Sequence, residues 1–225
     1  MLPRASFWQR AAAWSLDATL LALPTLLLSW PSIDAGRSSL RAAGPALLAG
    51  AGTLTAATQG GRDPVATPPL PDAAGLLQAG AALEAAIWQL LLPPLLVFAL
   101  LGGLYHVVAE CSRWRGSIGK HCLGLQVGDA RGAALHWPHA AWRYLAGALS
   151  WLTLNVGHAM ALGPGHRALH DRVSHSRVER RGDARLPAWA RAWLWLQALA
   201  WLLATLWLLM RVYGALRATL EQAGL

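Results

Sequence analysis

The sequence AAAWSLDATLLALPTLLLSW, residues 11–30, has the length and composition of an α-helix that crosses a lipid bilayer. Asp17 is its only charged residue, and a carboxylate at the centre of such a helix costs about 2.5–3.5 kcal/mol on an insertion scale. Arg10 lies two helical turns earlier, on the same face and about 10 Å along the axis. Asp17 therefore indicates either an intramembrane ionisable site or a polar contact that holds helices together.

The composition is that of a membrane domain. Hydrophobic residues make up 55% of the 225 residues and charged residues 13%, against about 25% charged in a typical soluble domain. The net charge is +8, and the arginines cluster beside apolar segments, where the positive-inside rule explains them. We therefore expect the lipid bilayer as a partner and no nucleic acid, since no groove-reading module is visible.

A second apolar helix is predicted from an N-cap at Asp72 to about Glu110. Residues 32–83, which precede most of it, are rich in Ala, Gly, Pro and Thr and carry little charge. Such a segment forms a core poorly and contains strong helix breakers. We expect it to be a flexible loop with one short helix near Ala46.

Two further apolar segments follow. Residues 142–163 are interrupted by Arg143, Asn155 and His158, whereas residues 193–213 are apolar throughout. The predicted fold class is an all-α membrane protein, a small bundle of three to four transmembrane helices whose third apolar segment either crosses or re-enters.

A polar and basic segment separates the second and third apolar segments, and the apolar period changes within it. LGLQV (residues 123–127) and AALHW (residues 133–137) each alternate apolar and small or polar residues, and DARG (residues 129–132) between them suits a type I turn. This pattern favours a small cytoplasmic β-hairpin over an irregular loop.

Arginine distribution sets the expected topology. Residues 166–191 carry seven arginines, and the earlier basic loop carries Arg113, Arg115 and Lys120. Both loops obey the positive-inside rule only if the third apolar segment enters the membrane and returns. We therefore expect a re-entrant or interfacial segment, a cytoplasmic N-terminus in a bacterial inner membrane, and residues 32–83 on the outside.

Three blocks resemble the RDD family of small bacterial membrane proteins. The first is FWQR (residues 7–10) followed by Asp17. The second is Glu110 followed by SIGKHCLGLQV (residues 117–127), which is similar to the family's T-x-G-K-x-x-x-G-x-x-V stretch with Ser117 in place of Thr. The third is LHDR (residues 169–172), which resembles the family's L-H-D element.

The resemblance divides the chain and suggests a shared site. It implies an RDD-like membrane domain over residues 1–178 with an insert at 32–83, a basic cytoplasmic linker at 179–192, and an additional transmembrane helix at 193–225. The residues that it assigns to a ligand, ion or charge-network site, including Arg143 where the family usually has an arginine, are Arg10, Asp17, Glu110, Lys120, Arg143, His170, Asp171 and Arg172.

The state of Asp17 stays open at this level. A bare buried carboxylate would raise its pKa and hold a proton, which suits proton-coupled exchange. A carboxylate paired with Lys120, Arg143 or Arg172 would stay charged, which suits a fixed network. We expect Arg10, Asp17, Lys120 and Asp171 to converge at the cytoplasmic half of the membrane.

Enzymatic activity, a metal and a cofactor are not expected. His166, His170 and His175 are spaced closely enough to consider zinc, but no H-E-x-x-H arrangement accompanies them. No nucleophile elbow or phosphate loop is present in the sequence.

Two function classes remain. One is a small transporter or cation/proton exchanger that uses the intramembrane carboxylate, as the family resemblance suggests, with a homo-oligomer as a sensible companion. The other is a membrane scaffold or accessory subunit whose basic cytoplasmic face binds a partner or anionic lipid.

Overall fold

The computed structural model describes residues 2–59, 73–153 and 155–222. Three long helices dominate it: α1 (Phe7–Gln59), α2 (Ala73–Cys111) and α7 (Ala188–Gln222). The shorter helices are α3 (Ile118–Cys122), α4 (Trp137–Leu152), α5 (Val156–Ala159) and α6 (Leu169–Val173), with a 3-10 turn at Met160–Leu162. Two strands, β1 (Leu125–Asp129) and β2 (Ser176–Arg180), form one small sheet.

Each long helix contains a stretch that is long and apolar enough to cross a bilayer. The stretches are Phe7–Gly44, Leu77–Cys111 and Ala188–Ala215. Their large apolar side chains point outward: Leu100 is 74% exposed and Trp195 is 77% exposed. Contiguous exposed apolar surface of this kind suits a lipid environment and not water. The expected all-α membrane fold class is therefore confirmed.

The prediction of a flexible loop at residues 32–83 is wrong for the part of this segment that the structure describes. Helix α1 continues through Pro31 to Gln59, and α2 begins at Ala73. Residues 32–59 are rich in Ala and Leu, which are strong helix formers, and extending an existing helix is easier than starting one. Pro31 removes a single backbone donor, which this helix tolerates. The expected N-cap, Asp72, lies outside the described residues.

The chain divides into two compact units. Unit 1 comprises residues 1–23 and 99–208, and unit 2 comprises residues 24–98 and 209–225. In unit 2, α1 and α2 approach closely: a Cβ on Gly36 would lie 2.7 Å from the Cα of Leu90, and Ser39 Oγ donates to Gln89 Oε1 at 3.0 Å. All the short elements and the sheet belong to unit 1.

The third apolar segment is broken rather than straight. Helix α4 and the α5 segment meet at a bend of 112°. At the bend Asn155 takes a left-handed conformation with φ of 65°. Gly157 packs back against α4 so closely that a Cβ there would lie 2.6 Å from Ser150 Oγ. The sequence thus provides both the sharp turn and the small residue that the return requires.

The sheet fixes the path of that broken segment. Strand β1 follows α2 and α3, β2 precedes α7, and the two pair antiparallel with Val127 opposite Val178. Hydrogen-bonded strands cannot lie on opposite sides of a bilayer. Both basic loops therefore lie on the same side, as expected if the bent α4–α5 segment between them does not cross the membrane.

The two-stranded antiparallel element is present, but the second strand is not the one expected. The turn forms, since Gly132 N donates to Asp129 O at 3.0 Å and Asp129 Oδ1 accepts from the amides of Arg131 and Ala133. Residues 133–137 then lead into α4, whose first turn contains Pro138, a residue suited to a helix start. Strand β2 takes the place beside β1.

The two halves of the sheet are built alike. The α3–β1 and α6–β2 units each consist of a five-residue helix, a two-residue connection and a five-residue strand. Each connection ends in a left-handed residue, Gly124 with φ of 64° and His175 with φ of 48°. Lys120 and Asp171 are the third residues of the two short helices and so occupy equivalent positions.

The paired strands predict which side of the membrane each loop occupies. In a Cys111→Ser/Cys122→Ser background, we expect Ala130→Cys and Ala184→Cys to react alike with an impermeant thiol reagent in intact cells, and both to be protected. Ala218→Cys, beyond the crossing stretch of α7, should show the opposite behaviour. Opposite labelling at positions 130 and 184 would contradict the re-entrant path.

Candidate functional site

Asp17 is buried and held by three uncharged donors. The residue is 1% exposed. Tyr105 Oη of α2 donates to its carboxylate at 2.7 Å, Ser117 Oγ at 2.5 Å, and the amide of Gly119 in α3 at 2.8 Å. The Asp17 carboxylate therefore joins α1, α2 and α3 through hydrogen bonds from uncharged donors.

The S-I-G-K stretch is shaped to reach Asp17. Ser117 caps α3, with its Oγ accepting from the amide of Lys120 at 3.4 Å. Gly119 lies against α1 so closely that a Cβ would be 2.2 Å from Ala13 O and 3.0 Å from Asp17 Cγ. Only glycine permits this approach, which places its amide on the carboxylate.

A second polar group is an ion-pair chain, the series Arg10–Asp171–Arg143–Glu110–Lys120. Arg10 and Arg143 both bind the Asp171 carboxylate. Arg143 Nε lies 3.3 Å from Glu110 Oε2, and Lys120 Nζ lies 3.0 Å from Glu110 Oε1. The chain links α1, α6, α4, α2 and α3, and Asp171 is 0% exposed.

Further hydrogen bonds surround Asp171 and Arg143, two inner members of the ion-pair chain. Arg143 Nη1 also donates to Ser176 Oγ at 2.5 Å, and the amide of Ala168 donates to Asp171 Oδ2 at 2.9 Å. His139 Nε2 contacts Ser174 O at 2.6 Å, which ties α4 to the residues after α6. Buried charges are tolerated when their remaining donors and acceptors are used in this way.

The charge states at α6 follow from these contacts. Burial alone would raise the pKa of Asp171, but Arg143 and Arg10 outweigh it and hold that pKa well below its usual range. Burial, reinforced by Arg143, lowers the pKa of His170 to about 3. Asp171 is therefore an anion and His170 a neutral imidazole at neutral pH.

The structure brings most of the predicted site residues together. Arg10, Glu110, Lys120, Arg143 and Asp171 form the ion-pair chain, and His170 Nε2 lies 3.4 Å from Asp171 Oδ1.

Asp17 and Arg172 stand apart from the ion-pair chain. Asp17 is adjacent to it through Ser117 and Gly119, whereas Arg172 is exposed. Lys120, considered as a partner for Asp17, pairs with Glu110 instead.

Sequence reasoning missed the side chains that complete both groups. Tyr105 and His106 are consecutive residues with polar side-chain atoms in the part of α2 before Glu110 that is otherwise apolar from residue 91 on. That interruption of a spanning helix was the available signal. Ser176 carried no such signal, because it becomes a partner only when β2 is placed beside α4.

A cavity of about 380 Å³ adjoins the ion-pair chain within unit 1. Its polar lining residues are Arg10, His106, Lys120, Arg143, Asn155, His158 and His170. Its main apolar lining residues are Phe7, Trp14, Leu125, Trp151 and Val178. Neighbouring rings in this wall contact one another: the centroids of Trp14 and Trp151 lie 5.8 Å apart, and those of His158 and His170 lie 5.4 Å apart.

A metal centre is not formed by the residues that the structure describes. Across residues 2–59, 73–153 and 155–222, no group of three or more His, Cys, Asp or Glu side chains is arranged to hold a metal ion. The histidines near the cavity therefore require another explanation.

Three membrane-length helices, a broken segment and a buried charge network define the chain as a multi-pass integral membrane protein. The sequence model of the RDD family matches residues 4–175, and the chain belongs to that family. It is similar to the "Uncharacterized protein YxaI" of Bacillus subtilis (strain 168), with 30% identity over 87 residues. That match covers 39% of this chain and 58% of the relative. No solved structure matches the chain.

Gly119 offers a direct test of the contact between α1 and α3. Gly119→Ala should destabilise the protein by about 1–3 kcal/mol, because the added methyl group collides with the backbone at Ala13. The matched control is Gly147→Ala in α4, where nothing lies within 4 Å of the added Cβ. It should be neutral or slightly stabilising. Thermal unfolding in detergent measures both, and equal melting temperatures would contradict the close approach.

The lowered pKa of His170 predicts a pH dependence of stability. The unfolded chain protonates this imidazole below about pH 6.5, whereas the folded chain does so only near pH 3. Unfolding therefore takes up a proton in that window, and stability falls as pH drops, by up to about 1.4 kcal/mol per pH unit. His170→Gln should remove this part of the slope. Comparison between pH 7.5 and about 5.5 keeps carboxylate titration small; identical slopes for the parent and the variant would contradict the assignment.

Proposed function

We propose that the protein is a membrane scaffold or accessory subunit, whose buried charges hold its membrane helices to a basic surface that binds a partner protein or anionic lipid. The observation that carries the proposal is that every buried acid in this region is already held by protein groups. Glu110 and Asp171 each lie between two cations, and Asp17 accepts three hydrogen bonds.

Such an arrangement suits permanent structure better than cation exchange. A cation that bound Glu110 or Asp171 would have to displace lysine or arginine side chains that are themselves largely buried. Displacement would leave those cations without partners in a poorly solvated environment, which costs about 3–5 kcal/mol. The cavity beside them also presents the cations and not the carboxylates.

The basic surface supplies the binding half of the proposal. Seven arginines of unit 1 are exposed: Arg4, Arg113, Arg131, Arg172, Arg181, Arg185 and Arg191. If these loops face the cytoplasm, as the positive-inside rule predicts, they lie next to an anionic leaflet. Each such cation near the surface contributes about 1 kcal/mol of attraction to anionic lipid, and the same surface suits an acidic protein partner.

A cation/proton exchanger is the second candidate, and one observation favours it. Among the described residues, no ion pair includes Asp17, so no nearby cation neutralises its charge. A buried carboxylate with uncharged partners can accept a proton or a small cation. Tyr105, which donates to Asp17, would then take part in the exchange.

Asp17→Asn separates the two candidates. In a scaffold, the amide nitrogen of Asn would face hydrogen-bond donors, and the loss of about 1–3 kcal/mol should lower membrane abundance and melting temperature. We expect the parent protein in sealed vesicles to move neither Na⁺, K⁺ nor H⁺. Parent flux that disappears in an Asp17→Asn variant of normal abundance would instead establish the exchanger.

Two further variants serve as controls for that experiment. Asp171→Asn should be destabilising under the scaffold proposal, because it leaves Arg10 and Arg143 without their shared partner. Asp183→Asn removes an exposed acid and should retain normal abundance. Affinity purification of the full chain with and without charge reversal of exposed arginines tests the partner directly. Loss of a specific partner on Arg181→Glu/Arg185→Glu is the expected result.

A further inference from the structure

The cavity beside the ion-pair chain is positively charged where it is polar. Arg10, Lys120 and Arg143 line it, whereas Glu110 and Asp171 do not. The ion-pair chain begins and ends with a cation. Its three cations and two carboxylates therefore leave one positive charge in excess. A ligand that carries a negative charge would complete the alternation.

Three imidazoles in the same wall have an unused nitrogen. The Nδ1 atoms of His106, His158 and His170 are buried and have no hydrogen-bond partner among the described residues. A neutral imidazole can carry its proton on either nitrogen and can donate it to an anionic oxygen. Since the described residues form no metal-binding group, an oxyanion explains these nitrogens better than a metal ion.

The rest of the wall is mainly apolar. Trp14 is 45% exposed and Trp151 is 52% exposed; Trp14 lies on a helix of membrane-spanning length and Trp151 on the bent apolar pair. The volume of about 380 Å³ is near the lower end of the range for small-molecule sites. It suits a headgroup with the first part of an aliphatic chain.

We propose that this cavity binds the anionic end of an amphiphile, a phosphate or carboxylate group on an aliphatic body, which enters from the bilayer. The cations and imidazoles hold the anionic oxygens, and Trp14 and Trp151 cover the first carbons of the chain. This site is separate from the exposed arginines of the scaffold proposal, and its occupancy does not depend on a protein partner.

Binding is tested on the full chain in phosphatidylcholine nanodiscs, titrated calorimetrically with decyl phosphate and corrected for empty nanodiscs. We expect saturable binding at one site per chain. Decyl maltoside has a similar chain without the charge and should bind at least about tenfold more weakly. Inorganic phosphate tests entry from water; affinity equal to that of decyl phosphate would overturn the membrane source.

Two variants place the ligand in the cavity. Ala159 is exposed and lines the cavity, so Ala159→Trp should fill it and weaken binding at least about tenfold. Ala198→Trp, an exposed position on α7, is the matched control and should bind normally. His158→Phe keeps a ring beside Trp151 but removes the nitrogens. It should retain the melting temperature of the parent and bind about tenfold more weakly.

Several outcomes would overturn the proposal. These are heat that does not saturate, equal affinity for decyl maltoside, and unchanged binding by a folded Ala159→Trp variant. Folding of each variant is checked by its melting temperature without ligand. If His158→Phe binds decyl phosphate with unchanged affinity, the imidazole of His158 does not contact the ligand, and its assigned role is contradicted.

Discussion

The ion-pair chain from Arg10 to Lys120 is the interaction on which the rest of unit 1 depends. It joins residues as far apart in sequence as Arg10 and Asp171, which are 161 positions apart. Lipid removes the hydrophobic drive that brings helices together in water, so close packing and polar contacts must select their arrangement. In the ion-pair chain, each carboxylate lies between two cations, and removing one of these side chains leaves a buried charge without its partner.

Asp17 supplies a second constraint of a different kind. Its partners are uncharged, and two of them come from the cap and first turn of α3. This contact sets the position of α3 and hence of Lys120, which follows Gly119 directly. The two polar groups are thus coupled through the four-residue stretch 117–120, and the family motif around Gly119 marks that junction.

How far the sequence predicts this structure depends on the range of each interaction. Membrane-length helices follow from local apolar composition, and the bend before Gly157 follows from an impure apolar segment. Strand β1 was visible from its alternation, but its partner was not, because pairing with β2 is set by a contact 53 residues away between Gln126 and Glu179. The sequence pattern predicts an end of the first helix at Pro31, but the helix-forming residues around this single proline favour the extension of α1. The uncharged partners of Asp17 could not be predicted from the distribution of charged residues alone.

The pairing of β1 with β2 also has a consequence for biosynthesis. At ribosomal rates of about 5–20 residues per second, the later strand emerges roughly 3–10 s after the earlier one. Throughout that interval β1 is an edge without its neighbour, and the apolar segment between the strands is synthesised before β2. Strand β2 therefore cannot guide the apolar segment into the bilayer. It can stabilise the path of that segment only after synthesis has passed Arg180. Correct insertion in the meantime rests on the break at Asn155 and on the arginines that follow it.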